Sequence, residues 1–199
     1  MITIIDYGMG NLRSVEKALQ RVSCTTQITN NPEEVIAAEK LVLPGVGAFG
    51  EAKHNLDRLG LTPAILQAVQ KKVPLLGICL GFQLLFAHSE ENGNHSGLGI
   101  FPGSVRLFPQ GLKVPHMGWN QVQIVRNNRL LENIPDNSFF YFAHSYYVEL
   151  EPNDFVIGTT EYGLNFVSVV GKDNIWGMQF HPEKSQKWGL EILKNFSQV

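Results

Sequence analysis

The 199-residue sequence predicts an α/β fold with a mostly parallel central sheet, flanked by helices and extended by additional antiparallel strands. Three observations carry this expectation. From Ile2 to Phe86, short apolar runs alternate with helical patterns, which implies right-handed crossovers between parallel strands. From Val105 to Phe180, apolar runs follow one another across turns with little room for helices, as antiparallel strands at a sheet edge would. Between these regions, Cys79 stands where an apolar run gives way to a helical pattern, with Gly77 and Gly81 on either side.

Along the chain, Ile2 to Tyr7 reads as a strand, and Gly8-Met9-Gly10-Asn11 as a turn with a helix cap. Leu12, Val15, Leu19 and Val22 then share one helix face. Thr25 to Thr29 is a short strand, Pro32 to Glu39 a short helix, and Lys40 to Leu43 a third strand that ends in Pro44-Gly45-Val46-Gly47. Helical patterns cover Glu51 to Leu59 and Pro63 to Lys71, and the strand leading to Cys79 precedes a further helical pattern through Phe86. Ser89 to Gly99 is polar and glycine-rich, so an exposed loop is expected. Strands are expected at Val105 to Phe108, Gln121 to Val125, Phe139 to Phe142, Tyr146 to Leu150, Phe155 to Thr160, Phe166 to Val170 and Ile175 to Phe180, with an amphipathic helix at Trp188 to Phe196. No linker or repeat divides the chain, so residues 1–199 are expected to form a single domain.

Composition narrows the function classes. Apolar residues make up 44% of the chain, ordinary for a globular protein, and a net charge of −2 offers no general basis for nucleic-acid binding. Two cysteines, Cys24 and Cys79, do not make a disulfide framework. The N-terminus carries no secretory pattern, and no apolar run approaches the roughly 18 residues of a membrane span. The expectation is a cytoplasmic protein without membrane contact.

Cys79 carries the chemistry. Gly-x-Cys-x-Gly at a strand-to-helix turn is the cysteine form of the nucleophile elbow. The turn pushes the sulfur outward, aims following amides such as that of Leu80 at the reacting atom, and sets a helix N-terminus beside the sulfur, which favours thiolate. A buried cysteine acting as a small hydrophobe is the plain alternative. His181 and Glu183 weigh against it. They follow another strand end, where the imidazole can take the thiol proton and the carboxylate can fix its tautomer. Gly45-Val46-Gly47-Ala48-Phe49-Gly50 matches the dinucleotide fingerprint formally, but it follows the third strand, and about 20 residues on, where an acid is wanted, the chain reads Ile65-Leu66-Gln67-Ala68-Val69. These glycines serve instead to expose backbone amides beside Cys79.

Gly77-Ile78-Cys79-Leu80-Gly81 with Gln83, together with Phe180-His181-Pro182-Glu183, resembles the class I (triad) glutamine amidotransferases, whose flavodoxin-like fold agrees with the architecture above. Within them, Asp6-Tyr7-Gly8-Met9-Gly10-Asn11-Leu12, Pro44 to Phe49, Lys113 to Asn120, His144-Ser145-Tyr146 and Gln179 to Ser185 are similar to the glutaminase subunits of imidazole glycerol phosphate synthases. Phe82 stands where methionine is common. The resemblance implies that Cys79, His181 and Glu183 hydrolyse glutamine to glutamate and ammonia. It implies that Gln83, Ser145 and Tyr146 hold the substrate, and that Gly45, Val46, Gly47 and Leu80 supply or shape the oxyanion site. It further implies a heterodimer with a cyclase subunit of (β/α)8-barrel type that receives the ammonia, and no metal or organic cofactor. Pro115 and Gly118 flank Trp119 and no strand period runs through His116, Met117, Gly118, Trp119 and Asn120, so a loop is expected; an aromatic and a methionine in a loop suit an interface, and the resemblance implies that this one lies against the cyclase. The competing reading is an ammonia-supplying subunit for another acceptor, such as a sugar nucleotide, because acceptor chemistry resides in the partner.

Overall fold

A computed structural model of the chain describes residues 1–150 and 153–199. β1 (Ile2–Ile5) is buried along its whole length, as a strand covered on both faces must be. α1 (Leu12–Arg21) begins where the Asn11 side chain accepts the Ser14 amide, and it buries Val15, Ala18 and Leu19. β2 (Thr26–Thr29) is followed by α2 (Pro32–Ile36), whose start is set by Asn31 as cap and proline in the first turn. β3 (Leu41–Leu43) leads through residues 44–48 into α3 (Phe49–Arg58) and α4 (Leu61–Gln70). β4 (Leu75–Ile78) ends at Cys79, and α5 (Leu80–Leu84) starts on its far side. Then come β5 (Phe86–Ser89), β6 (His95–Ser96), β7 (Phe101–Leu107) and β8 (His116–Ile124). They are followed by β9 (Ser138–His144), β10 (Tyr146–Glu149), β11 (Val156–Glu161), β12 (Asn165–Lys172), β13 (Ile175–Met178) and α6 (Gln186–Gln198).

The main sheet runs β2-β1-β3-β4-β13-β12-β10-β7-β5-β6. Pairing is parallel from β2 through β1, β3 and β4 to β13, and antiparallel from β13 through β12 and β10 to β7. β11 leaves this path by pairing with both β12 and β8, and β8 pairs with β9. The period-2 alternation sorts the strands' side chains onto two cores. Ile4, Val42, Leu76 and Met178 face α1 and α6, while Ile5, Leu43 and Leu75 face α3, α4 and α5. Ile192, Leu193 and Phe196 of α6 are fully buried, each contributing roughly 1.5–3 kcal/mol of transfer free energy.

Three departures from the sequence expectations have physical causes. The helix after Cys79 stops at Leu84, and Phe86 opens a strand. The Leu98 amide captures the Leu84 carbonyl at 2.8 Å, and the Ile100 and Phe101 amides capture that of Leu85 at 2.9 and 3.0 Å. Residues 89–99 are therefore not all loop: β6 pairs back on β5 and Leu98 is buried. Residues 116–120 form the first half of β8, paired residue for residue with β9 from His116↔His144 to Val122↔Ser138. The alternation was hidden because its inward positions carry His116, Gly118 and Asn120 rather than aliphatic side chains.

The elbow depends on close backbone approach. A Cβ on Gly81 would lie 1.8 Å from the Leu43 carbonyl oxygen, and backbone cannot yield as a flexible side chain would. Gly81→Ala is expected to destabilise the protein by about 3 kcal/mol or more, read as a lowered urea midpoint. An unchanged midpoint would show that the approach of α5 to β3 is not a constraint.

Candidate active site

Strand register builds the site. β4 and β13 are parallel neighbours with Ile78 opposite Met178, so Cys79 and Gln179 leave the sheet side by side. The Cys79 amide donates to the Met178 carbonyl at 2.8 Å, after which the chain turns through φ 55°, ψ −107° into α5. The His181 amide donates to the Tyr141 carbonyl at 2.9 Å, and a short 3-10 turn (Pro182–Lys184) carries Glu183 back under the ring. His181 Nδ1 donates to Glu183 Oε1 at 2.8 Å. That leaves Nε2 for Cys79, with which the ring shares a hydrogen bond. Ser185 braces the turn, donating to the His181 carbonyl at 2.6 Å while accepting the Tyr141 amide at 2.9 Å. Cys79, His181 and the Glu183 side chain are all buried.

Burial lowers the His181 pKa, but the charge of Cys79, its hydrogen bond to the ring, and the Glu183 bond and charge outweigh it and raise the value to about 10. The favoured form of the ring is therefore an imidazolium beside the Cys79 sulfur, held by a carboxylate. A thiolate nucleophile, an acid–base imidazole and an orienting carboxylate constitute the machinery of acyl transfer from an amide.

Two residues beside the sulfur carry no assigned role in the sequence reading. Gln179, wholly buried, donates through Nε2 to Cys79 Sγ at 3.8 Å and accepts Gln83 Nε2 at 3.0 Å. Its position two residues before His181, hence on the same strand face, was the available signal. Tyr7 donates to the Pro44 carbonyl at 2.7 Å, and its hydroxyl would stand 2.2 Å from a Cβ on Gly45. Burial, with the Cys79 charge adding to it, pushes the Tyr7 phenol well above its ordinary range.

The expected oxyanion donors are close but not aligned as donors. The Leu80 amide points at the Gly45 carbonyl, 3.4 Å away, so a carbonyl stands where an amide was anticipated. Gly47 adopts φ 106°, with the Met9 side chain packed where a Cβ would be. A cavity of about 240 Å³ opens over the sulfur, and Val46, Gly47, Leu80, Gln83, Ser145 and Tyr146 all line it. Gln83 Nε2 also donates to the Tyr146 carbonyl at 2.9 Å. Glu91 adds a carboxylate that the sequence reading missed because it lies in the supposed loop. It accepts the Phe49 amide at 2.8 Å, and desolvation raises its pKa. A larger hollow of about 530 Å³ near Asn128 and Ile134 is remote from the triad and brings no nucleophile and base together.

The five residues expected at a partner interface divide between the faces of β8. Met117 and Trp119 project outward, 63% and 45% exposed, beside Phe139 of β9. His116 is buried, its ring 4.0 Å from that of Tyr162 and 5.0 Å from that of Phe142, and the Asn120 amide donates inward to the Glu161 carbonyl. The loop expected at these five residues is thus corrected to a strand whose alternation buries His116, leaves Gly118 and Asn120 half-buried and exposes Met117 and Trp119. Among the described residues, no three His, Cys, Asp or Glu side chains converge as a metal site would require. No helix among them is long and apolar enough to cross a membrane.

The family profile "Glutamine amidotransferase class-I" matches residues 3–199. The chain is 53% identical to "Imidazole glycerol phosphate synthase subunit HisH" of Moorella thermoacetica, over 100% of this chain and 94% of that one. It is 52% identical to the protein of the same name from Methanocaldococcus jannaschii, over 100% of both chains. Among solved structures, a glutamine amidotransferase superposes with a TM-score of 0.77 at 16% identity, covering 99% of this chain and 100% of the other. PurLQS from Thermotoga maritima superposes at 0.76 and 19% identity, covering 99% and 95%. At these identities the superpositions bear on the fold alone, which is the α/β class I glutamine amidotransferase fold.

Cys79→Ala is expected to remain folded and to lose amide hydrolysis altogether, with His181→Ala nearly as damaging and Glu183→Gln milder. Near-normal turnover in Cys79→Ala would remove it as nucleophile. The His181 titration, followed by ring-nitrogen NMR, should move down from about 10 in Glu183→Gln, because that change removes the carboxylate charge that helps raise it and leaves only a neutral acceptor. An unmoved titration would show that Glu183 does not hold the imidazolium.

Proposed function

The chain belongs to the class I glutamine amidotransferases, and from that premise we propose that it is the glutaminase subunit of an imidazole glycerol phosphate synthase, supplying ammonia for histidine biosynthesis. The observation that carries the reading is a buried Cys79–His181–Glu183 array beneath a cavity sized for one small substrate, in a chain about half identical over its whole length to subunits of that name.

The geometry supports the following sequence of steps. Cys79 thiolate attacks the side-chain carbonyl carbon of glutamine, and negative charge moves to the oxygen. Imidazolium His181 protonates the departing nitrogen, the C–N bond breaks, and ammonia leaves a glutamyl thioester. Neutral His181 then takes a proton from water as the hydroxyl attacks the thioester. Collapse releases glutamate and restores thiolate and imidazolium. Gln83, Ser145 and Tyr146 are assigned to the glutamine backbone atoms, and Glu91, the acidic member of the cavity wall, to the substrate ammonium. Gly45, Val46, Gly47 and Leu80 are assigned to the oxyanion.

The ammonia is passed to a separate cyclase of (β/α)8-barrel type. Met117 and Trp119, with Phe139 beside them and Lys184 Nζ 5.8 Å over the Tyr141 ring, offer the apolar, aromatic-centred patch that an interface core uses. A free Cys79 thiol suits the reducing cytoplasm. The Gly45 carbonyl facing the Leu80 amide supports a resting state in which turnover is held down until the partner docks. Turning the Gly45–Val46 peptide over would replace that carbonyl with the Val46 N–H. Glycine makes this rotation sterically inexpensive.

Glutamine hydrolysis by the isolated chain is accordingly expected to be weak, rising by about 10²–10³ when the cyclase barrel and its nucleotide ligand are added. Trp119→Ala should reduce that activation while leaving the triad intact, and free ammonia should restore cyclase output in Cys79→Ala complexes. Full glutaminase activity without the barrel would sink the coupling.

A further inference from the structure

Behind the cavity wall, two histidines lie in an otherwise aromatic packing layer. His116 and His144 are 4% and 6% exposed, and Phe108, Phe142 and Phe166 pack around them. Phenylalanine would fill that space without desolvating four ring nitrogens, so the nitrogens need an account of their own.

Their hydrogen bonds form a line whose direction is fully determined. The Tyr146 carbonyl can only accept, so His144 Nδ1, 2.7 Å away, carries a proton. Burial lowers the His144 pKa to about 3, so the ring is neutral and its Nε2 is a bare acceptor. His116 Nδ1, 3.0 Å from it, must donate. Burial likewise lowers the His116 pKa to about 4, leaving His116 Nε2 to accept from Asn120 Nδ2 at 3.3 Å. The Asn120 amide cannot be reversed. Its second N–H donates to the Glu161 carbonyl at 2.9 Å, and its oxygen accepts the Gln121 amide at 2.8 Å. At the other end, the Tyr146 carbonyl also accepts Gln83 Nε2, which is tied through Gln179 to Cys79.

The line crosses a seam in the fold. Ser145 is the bend between β9, which pairs with β8, and β10, which pairs with β7 and β12. Ser145 thus stands between two ladders: His144 before it pairs with His116 of β8, and Tyr146 after it pairs with Leu107 of β7. The histidine line joins the two.

We propose that His144 and His116 are positioning residues: with Asn120 they form a one-way hydrogen-bond line that sets the Ser145–Tyr146 rim of the cavity against β8 and Gln83, and so sets the affinity for the substrate. The proposal rests on the reading of that cavity as the glutamine site.

Labelling of Cys79 in the full chain by two reagents tests it. A glutamine-like diazoketone must occupy the cavity, whereas iodoacetamide needs only the thiol. His144→Phe keeps the ring volume and loses the donor to Tyr146. It should slow diazoketone labelling by about tenfold and leave iodoacetamide labelling within about twofold of wild type, and in the complex it should raise KM for glutamine more than it lowers kcat. His144→Asn, which returns an N–H near the Nδ1 position, should recover much of the diazoketone rate. Equal rates for His144→Phe and wild type with both reagents would overturn the proposal, as would equal slowing with both. Ring-nitrogen NMR of the wild-type chain should show both histidines as Nδ1–H tautomers, and an Nε2–H signal from either would break the line whatever the variants do. A wild-type chain that, with the cyclase barrel docked, ignored the diazoketone but took iodoacetamide would instead refute the glutamine reading.

Discussion

The backbone at Cys79 is the constraint from which the rest of the site follows. A cysteine at φ 55°, ψ −107° lies in a region that L-residues avoid, at a cost of roughly 1–3 kcal/mol, and it persists only where its surroundings leave no alternative. Those surroundings are specific. The Cys79 amide is tied to Met178 on one neighbouring strand, and Gly81 touches the backbone of Leu43 on the other. Gly77 lies under Gly81 and Phe82, where a Cβ would meet backbone at 2.8 Å. The parallel sheet and α5 together hold one strained residue, and the strain aims its sulfur at the space above the strand ends.

Everything chemical is then arranged by strand order. Because β13 is the strand next to β4, His181 arrives beside Cys79 although about half the chain separates them. The short turn after His181 brings Glu183 to 2.8 Å from the ring, and Ser185 locks the turn to β9. The antiparallel half of the sheet extends the same logic. It supplies β9 and β10, whose junction carries Ser145 and Tyr146 to the cavity, and β8, whose two faces do different work. The outer face exposes Met117 and Trp119, and the inner face carries His116 and Asn120. A residue on β8 is therefore one peptide away from either the solvent surface or the hydrogen-bonded interior behind the cavity.

The alternation of strands and helices before Cys79, the elbow itself and the pairing of His181 with Glu183 were all legible in the sequence. Each rests on local rules: glycine where backbones approach, a period of two for strands, a proline stiffening a short turn. What stayed hidden was set by partners distant in the chain. α5 ends early because residues 98–101 return to capture its last carbonyls. β8 was read as a loop because its inward side chains are polar and hydrogen-bonded rather than aliphatic. Glu91 gave no signal because only the packing of β5 and β6 against α3 brings it to the cavity.

The sequence by itself determined the architecture, the turn at Cys79 and the partnership of His181 with Glu183, since these depend on residue type at short spacing. Only the tertiary structure decided that the Leu80 amide meets the Gly45 carbonyl, that Gln179 joins Gln83 to the sulfur, and that His116 turns inward while Met117 and Trp119 turn out. Those outcomes follow from register and burial between strands far apart in the chain, and a one-residue shift of β8 against β9 would exchange every one of its inward and outward side chains.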